Sequence, residues 1–198
     1  MKLDPFYLIV PDATMLAALL PMGVRLVQLR LKSDDAAEVR RQVAISQALC
    51  ARYGAQLVVN DHWQTAIDLG ADAVHLGQED LDDADLPALR RANIEVGMST
   101  HDDAELDRAL ALNPAYVALG PVYPTLLKQM PWQPQGLTKV TQWKARVGAL
   151  PLVAIGGLTL PRLPGVFAAG ANCAAVVTDI VTAVDPAAQT RAWLKATR

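Results

Sequence analysis

The sequence predicts an α/β fold, a single-domain (β/α)8 barrel that occupies residues 1–198. Eight short runs rich in Val, Leu and Ile recur along the chain, and stretches with helical periodicity lie between them. Each strand-helix unit takes about 25 residues, which gives a small barrel. At 198 residues the chain can bury one full core, and barrels of this kind need not divide into smaller domains.

The eight apolar runs have the length of strands and are too uniformly apolar for strands that are wetted on one face. An open, doubly wound sheet is the alternative, but such sheets carry a glycine fingerprint after the first strand. Here the first run ends in Val10-Pro11-Asp12, without those glycines. In order, the runs are Phe6–Val10, Val24–Leu29, Gln56–Asn60, Ala73–Leu76, Ile94–Met98, Ala115–Gly120, Pro151–Ile155 and Asn172–Val177.

Segments with helical periodicity separate the strands. Asp34–Tyr53 is the clearest of them, because Ser33-Asp34-Asp35 can cap its start and Gly54 can end it. This alternation indicates parallel strands that are joined by helical crossovers. Further helices are expected at His101–Leu112, Leu137–Val147, Pro161–Ala169 and Pro186–Ala196.

Composition excludes several classes of protein. The net charge is −2 and no Lys/Arg cluster occurs, which argues against a nucleic-acid partner. Cys50 and Cys173 fall in helical and strand patterns, so both are expected to be buried free thiols in a reducing compartment. No signal peptide and no apolar run of about 18 residues is visible, so we expect a cytoplasmic protein that does not enter the membrane. The sequence leaves a homo-oligomer open.

In a barrel, catalytic groups stand where the strands end and the βα loops gather. After the second strand, Gln28, Arg30 and Lys32 alternate with leucines and therefore share one face. If that face is the barrel mouth, the two cations need an anionic partner. The alternative is a strand end at the surface, with charges exposed to water.

Acidic residues follow the next two strands. Asn60-Asp61 ends the third, and Glu79-Asp80 comes after the fourth. Each acid could cap a helix, since Asp and Asn cap well. Together, on neighbouring strands, they could present oxygens to one Mg²⁺, which prefers few carboxylates plus phosphate oxygens. His75, within the fourth strand, is expected to be a hydrogen-bonded interior residue without a metal role.

The remaining strand ends suggest a phosphorylated ligand. Ser99 could donate a hydrogen bond to a ligand, although capping of the next helix is favoured. Between Gly120 and Gly136 runs a connection of about 16 residues, long for a compact domain, in which Thr125 and Lys128 suit phosphate oxygens. Gly156-Gly157 follows the seventh strand, where barrels often hold a phosphate through backbone N–H groups.

Ordered motifs over nearly the whole chain resemble one enzyme family. They are QLRLK, NDHW, GADAVHLGQEDL, GMSTHD, YVALGPVYPTLLK, PLVAIGGL and AGANCAAVVTDI. The most specific pair is HLGQEDL followed by GPVYPT. On these motifs the chain resembles the thiamine phosphate synthase (thiamine-phosphate pyrophosphorylase) family, whose implied fold is also a (β/α)8 barrel.

The resemblance implies a transferase with two small-molecule substrates. It would join 4-amino-5-hydroxymethyl-2-methylpyrimidine pyrophosphate to thiazole phosphate and release pyrophosphate. The family uses Mg²⁺. The pyrimidine is thought to ionise first, so that the thiazole nitrogen captures a pyrimidinylmethyl cation.

The resemblance also implies residue roles. Asp61 and Asp80 match the Mg²⁺ ligands, while Arg30, Lys32 and Lys128 match the basic groups on the leaving pyrophosphate. The full set of implied substrate-binding residues is Gln28, Arg30, Lys32, Asn60, Ser99, Thr125, Lys128, Gly157, Thr178 and Ile180.

Three positions depart from the family pattern. Leu127 replaces a common threonine, His62 stands where an acid or arginine is common, and the segment after Gly157 lacks a common asparagine. That last segment also resembles the thiazole tautomerase branch. A tautomerase-like relative or a non-catalytic barrel that binds thiazole phosphate is therefore the alternative. The metal acids and the loop lysine, which that branch typically lacks, argue for the synthase.

Overall fold

A closed barrel of eight parallel strands forms the centre of the computed structural model, which describes residues 1–125 and 132–198. Strand order follows chain order, and β8 pairs with β1 to close the ring. The predicted (β/α)8 barrel is therefore confirmed. The strands are β1 (Phe6–Val10), β2 (Leu26–Leu29), β3 (Gln56–Asn60), β4 (Ala73–Leu76), β5 (Glu95–Thr100), β6 (Tyr116–Leu119), β7 (Leu152–Ile155) and β8 (Cys173–Val176).

Helices surround the barrel. Two 3₁₀ turns, Leu20–Met22 and Leu160–Arg162, add to the α-helices that the described residues form. These are α1 (Ala13–Leu19), α2 (Ala36–Tyr53), α3 (Trp63–Asp68), α4 (Asp80–Asp83), α5 (Leu86–Arg91), α6 (Asp103–Ala111), α7 (Gly136–Val147), α8 (Leu163–Ala168), α9 (Thr178–Val181) and α10 (Pro186–Ala196). None of the helices in the described part of the chain is long and apolar enough to cross a membrane.

Helix caps account for the starts of two helices. The Asp35 carboxylate accepts the Ala37 N–H at 2.9 Å, so α2 begins at Ala36 and not at Asp34. The Asp102 carboxylate likewise accepts a backbone N–H from the first turn of α6 at 2.9 Å. Helix α6 therefore begins two residues later than predicted, because the capping side chain is Asp102 and not Ser99.

The core has two layers, which explains the uniformly apolar strands. Along β1, Tyr7 and Ile9 belong to the layer inside the barrel, whereas Phe6, Leu8 and Val10 belong to the layer between strands and helices. Strands buried on both faces need apolar side chains at every position. The prediction of two buried free thiols is also confirmed, since both cysteines are buried and unpaired.

One glycine makes room for an aromatic side chain inside the barrel. Gly97 on β5 pairs with Tyr116 on β6. A Cβ at position 97 would overlap the Tyr116 ring, whose hydroxyl oxygen would lie 2.5 Å away. The missing side chain therefore lets the Tyr116 phenol cross the interior, where it is fully buried.

Candidate active site

A cavity of about 490 Å³ opens at the C-terminal ends of the strands. Its position is the one where (β/α)8 barrels place their functional groups. It gathers predicted residues from seven different strand ends. Those that line it are Gln28, Arg30, Lys32, Asn60, Asp61, Asp80, Ser99, Thr125, Gly157 and Thr178.

The alternating residues after β2 face this cavity, as predicted. Gln28 is buried within β2, and the Arg30 N–H donates to the Val10 carbonyl at 2.8 Å, which extends the β1–β2 pairing past the strand. The neighbouring Leu29 packs in the outer core layer. Arg30 and Lys32 both line the cavity, and the Lys32 side chain, which is 61% exposed, stands at its open mouth.

Asp61 lies immediately after β3 in the left-handed backbone region, with φ 63°. Its N–H donates to the His75 carbonyl at 3.0 Å, and its Oδ2 accepts the Lys32 ammonium at 2.7 Å. The residue before α3 is His62, and no side chain caps that helix. The capping alternative for Asp61 is therefore wrong: its carboxylate points to the cavity and to Lys32.

Asp80 brings a second carboxyl group to the same place. It opens α4, and its Oδ2 accepts the Gly77 N–H at 2.9 Å. Burial raises the pKa of the Asp80 carboxyl above its ordinary value, and the charge of the neighbouring Asp61 raises it further. The hydrogen bond from the Gly77 N–H and the charge of Lys32 oppose this shift in pKa. The two acids therefore meet, as their positions on neighbouring strands predicted.

This pair of acids fits a divalent cation. Two carboxyl groups held against each other repel when both are ionised, and a cation between them would replace that repulsion with attraction. Within residues 1–125 and 132–198, no group of three or more His, Cys, Asp or Glu side chains could hold a metal. A Mg²⁺ held by two carboxylates would complete its coordination with water and phosphate oxygens, as Mg²⁺ usually does.

A chain of buried hydrogen bonds crosses the floor of the cavity. Gln28 Nε2 donates to the Tyr7 hydroxyl at 3.0 Å, and that hydroxyl lies 3.0 Å from the Tyr116 hydroxyl. Tyr116 in turn bonds His75 Nδ1 at 2.9 Å, and His75 Nε2 bonds Ser99 Oγ at 2.8 Å. Ser99 therefore faces the cavity from within β5, and its favoured capping role is wrong.

The titratable side chains in this series of hydrogen bonds are held neutral. Burial lowers the pKa of His75 to about 4, and the Arg30 charge lowers it further while Asp61 opposes the shift. Burial also raises the pKa values of Tyr7 and Tyr116 above the ordinary range. As expected, His75 is an interior residue with both ring nitrogens hydrogen-bonded.

The glycine pair after β7 lies against the segment that follows β6. Both glycines are left-handed, with φ 95° at Gly156 and 64° at Gly157. The Tyr123 N–H donates to the Gly156 carbonyl at 3.0 Å. Arg162 stacks over the Tyr123 ring at 4.4 Å and donates to the Gly157 carbonyl. These contacts fix the turn with Gly157 at the cavity wall, next to Thr178 at the start of α9.

Known proteins match this chain in sequence and in structure. The sequence profile described as thiamine monophosphate synthase matches residues 6–180. Thiamine-phosphate synthase of Rhizobium etli is 55% identical over 197 residues, which are 100% of this chain and 97% of the relative. The chain belongs to the thiamine monophosphate synthase family.

Further members of the thiamine monophosphate synthase family also match this chain in sequence and in structure. Thiamine-phosphate synthase of Neisseria meningitidis serogroup B is 44% identical, over 95% of this chain and 92% of the relative. Among solved structures, the thiamine phosphate pyrophosphorylase of Pyrococcus furiosus superposes with a TM-score of 0.86 at 25% identity, over 98% of this chain and 95% of that one.

One described residue that resemblance to the thiamine monophosphate synthase family suggested does not line the cavity. Ile180 is fully buried in the outer core layer, and its N–H donates to the Val177 carbonyl at 3.1 Å. Its predicted ligand contact is therefore not supported, because α9 turns this apolar side chain inward. Lys128 and Leu127 lie outside the described residues.

Sequence reasoning missed several residues of this thiamine monophosphate synthase family site. Tyr7 and Tyr116 both carry hydroxyl groups into strands that are otherwise apolar, a signal that could have marked them. Gln78 Nε2 donates to the Ser99 carbonyl at 2.7 Å and lines the cavity. Arg162 occupies the segment without the common asparagine, and nothing in its local sequence indicates that it reaches back to Gly157.

Proposed function

We propose that this chain forms thiamine phosphate from an aminopyrimidine pyrophosphate and thiazole phosphate, with pyrophosphate leaving before the new bond forms. One observation carries the proposal: two acids and two basic side chains from the ends of β2, β3 and β4 share one cavity with the Gly156-Gly157 turn. The 55% identity to a thiamine-phosphate synthase over the full chain supports it.

The cavity suits two anionic substrates at once. In a closed ring of eight strands, β3 and β7 lie four positions apart, so Asp61 and Gly157 stand on opposite sides of the mouth. The acids and basic groups would take the pyrophosphate on one side. The Gly156-Gly157 turn, Thr125 and Thr178 would take the thiazole phosphate on the other. Holding both substrates in line would supply a large part of the rate acceleration.

The basic groups would drive departure of the leaving group. Charge concentrates on the pyrophosphate as its bond to carbon breaks, so fixed cations there stabilise the transition state more than the ground state. Arg30 and Lys32 lie at this side of the cavity, and the motif resemblance assigns Lys128 to the same role. Mg²⁺ held by Asp61 and Asp80 would neutralise further negative charge on the pyrophosphate.

Other polar side chains would bind and orient the pyrimidine. Gln28 and Asn60 are buried at the ends of β2 and β3 and face the cavity. Neither ionises, and the hydrogen-bonded His75 beside them is held neutral. The mechanism needs no nucleophilic side chain and no strong base, since the thiazole nitrogen attacks a cation that is already formed.

A direct test mixes the purified chain with both substrates and Mg²⁺ and measures thiamine phosphate and pyrophosphate. We expect equal amounts of the two products, and no turnover in EDTA. Tight binding of thiazole phosphate without any product would instead favour the tautomerase-like or non-catalytic alternative. A cytoplasmic site of action is part of the proposal, because the two buried free thiols suit a reducing compartment.

The role of Lys128 can be tested separately. Lys128→Ala should lower kcat far more than it raises the KM for thiazole phosphate, because the lysine is assigned to the leaving pyrophosphate. Lys195→Ala is the matched control, since Lys195 is exposed on α10, away from the cavity. An equal effect of Lys128→Ala on both parameters would move the lysine to the thiazole side.

A further inference from the structure

The buried hydrogen-bond chain from Gln28 to Ser99 has two ends, and both reach the cavity. Its three inner members, Tyr7, Tyr116 and His75, bond to one another in sequence, and both tyrosines are at most 1% exposed. In such a chain each hydroxyl has one proton to give, so the direction of one hydrogen bond determines the direction of the next.

The donor at Gln28 fixes that direction. Gln28 Nε2 can only donate, so the Tyr7 oxygen accepts, and the single Tyr7 proton is left for Tyr116. The Tyr116 hydroxyl then donates its hydrogen bond to His75 Nδ1. A neutral histidine that accepts at Nδ1 carries its proton on Nε2, where it meets Ser99 Oγ. The Ser99 hydroxyl therefore keeps its own proton free to donate into the cavity.

The opposite direction leaves a buried group unsatisfied. If Ser99 donated to His75 and His75 donated to Tyr116, the Tyr116 hydroxyl would donate its hydrogen bond to Tyr7. The Tyr7 oxygen would then accept from both Gln28 and Tyr116, and its own proton would have no acceptor among the hydrogen bonds of the described residues. A buried donor without a partner is costly. Ser99 would also present lone pairs to an anionic ligand, which repels it.

We propose that Tyr7, Tyr116 and His75 are positioning residues that hold the Ser99 hydroxyl as a hydrogen-bond donor toward the leaving pyrophosphate, with His75 fixed as its Nε2–H tautomer. The identity of the anion rests on the proposed function. The direction of the hydrogen-bond chain is a property of the protein alone, and it is set before any substrate binds.

The tautomer can be read directly by nuclear magnetic resonance on the protein labelled with ¹⁵N-histidine. The chain has three histidines, so His62→Gln and His101→Gln variants assign the His75 signals. We expect a protonated Nε2 and an unprotonated Nδ1 for His75 at neutral pH. The Nδ1–H tautomer, or a ring protonated on both nitrogens, would overturn the proposal whether or not the chain makes thiamine phosphate.

The functional consequence calls for a double-mutant cycle. Tyr116→Phe should lower kcat by up to about tenfold, the range expected for one neutral hydrogen bond, with the KM for thiazole phosphate unchanged. In a Ser99→Ala background the same change should have less than about a twofold effect, because Tyr116 acts through Ser99. Equal losses in both backgrounds would mean that Tyr116 is merely structural and would refute the coupling.

Controls separate this proposal from the proposed function. Tyr53→Phe is the matched control, since Tyr53 is exposed at the end of α2 and should leave kcat unchanged. Circular dichroism checks that Tyr116→Phe folds. A wild-type chain that forms no thiamine phosphate would refute the proposed function, and the His75 tautomer would still decide the direction of the hydrogen-bond chain.

Discussion

Asp80→Asn should stabilise the metal-free protein while it abolishes turnover. The pKa of Asp80 is raised in the folded state by burial and by Asp61. For an acid this means that the folded state holds the proton more tightly, so the free energy of unfolding falls as pH rises from the ordinary pKa through the raised one. At any pH above the raised pKa that cost is fully present. Asparagine removes the charge and keeps an oxygen for the Gly77 N–H.

The expected gain is small, because water and Lys32 screen the two acids. Measured interactions between exposed charges are about 0.2–1 kcal/mol, so we expect unfolding of the variant to cost about 0.5 kcal/mol more. For a chain of this size that is about 1–2 °C in Tm. Mg²⁺ should reverse the order of stability, because it stabilises the wild type more than the variant. At about 100 times its Kd it would stabilise the wild type by about 2.7 kcal/mol, and the variant much less.

Thermal unfolding in EDTA and in Mg²⁺, followed by a product assay, tests both parts. Asp83→Asn is the matched control, because Asp83 is an exposed acid on the same short helix and should change neither Tm nor turnover. A lower Tm for Asp80→Asn in EDTA would show that the two carboxyl groups do not repel. Undiminished stabilisation by Mg²⁺ would show that Asp80 does not hold the metal.

Three further predictions follow from other sites. Gly157→Ala should raise the KM for thiazole phosphate and lower stability by about 1–3 kcal/mol, since a Cβ on this left-handed residue would lie 2.9 Å from the Tyr123 carbonyl carbon. Enzyme kinetics measure the KM and denaturant unfolding measures the stability. Wild-type values for both would contradict the prediction. Ser46→Ala should leave stability unchanged or raise it by up to about 1 kcal/mol, because the buried Oγ has no partner among the described residues; a clear loss in denaturant unfolding would refute this. Because the pKa of folded His75 is lowered to about 4, the imidazole becomes protonated between pH 6.5 and 4 only in the unfolded chain. The free energy of unfolding should therefore fall by up to about 3 kcal/mol as the pH drops through this range. His75→Gln should show a shallower dependence of this free energy on pH, and an equal dependence in both proteins would refute the prediction.

The sequence predicted the barrel and most of the cavity lining for one physical reason. Strands of a closed parallel barrel all end at one rim, so residues such as Asp61 and Asp80 meet there although they are distant along the chain. The period-2 alternation of Gln28, Arg30 and Lys32 was enough to assign them to one face. No knowledge of side-chain contacts was needed for either step.

The contacts between side chains were beyond local patterns. The roles of Tyr7 and Tyr116 depend on strands that lie across the barrel from each other, and nothing near either tyrosine indicates the partner. Ser99 was given the common role of a cap, because sequence could not tell that Asp102 would take it. Ile180 was carried over by position, but the orientation of the short helix α9 buries it.

The contact between Gly97 and Tyr116 limits how this barrel can diverge. Any side chain at position 97 would overlap the Tyr116 ring, so a substitution there is tolerated only after position 116 has become smaller. A smaller residue at 116, however, interrupts the polar path to Ser99. Mutational drift at these two positions should therefore be ordered and coupled, and a lineage that alters the first must already have given up the phenol at the second.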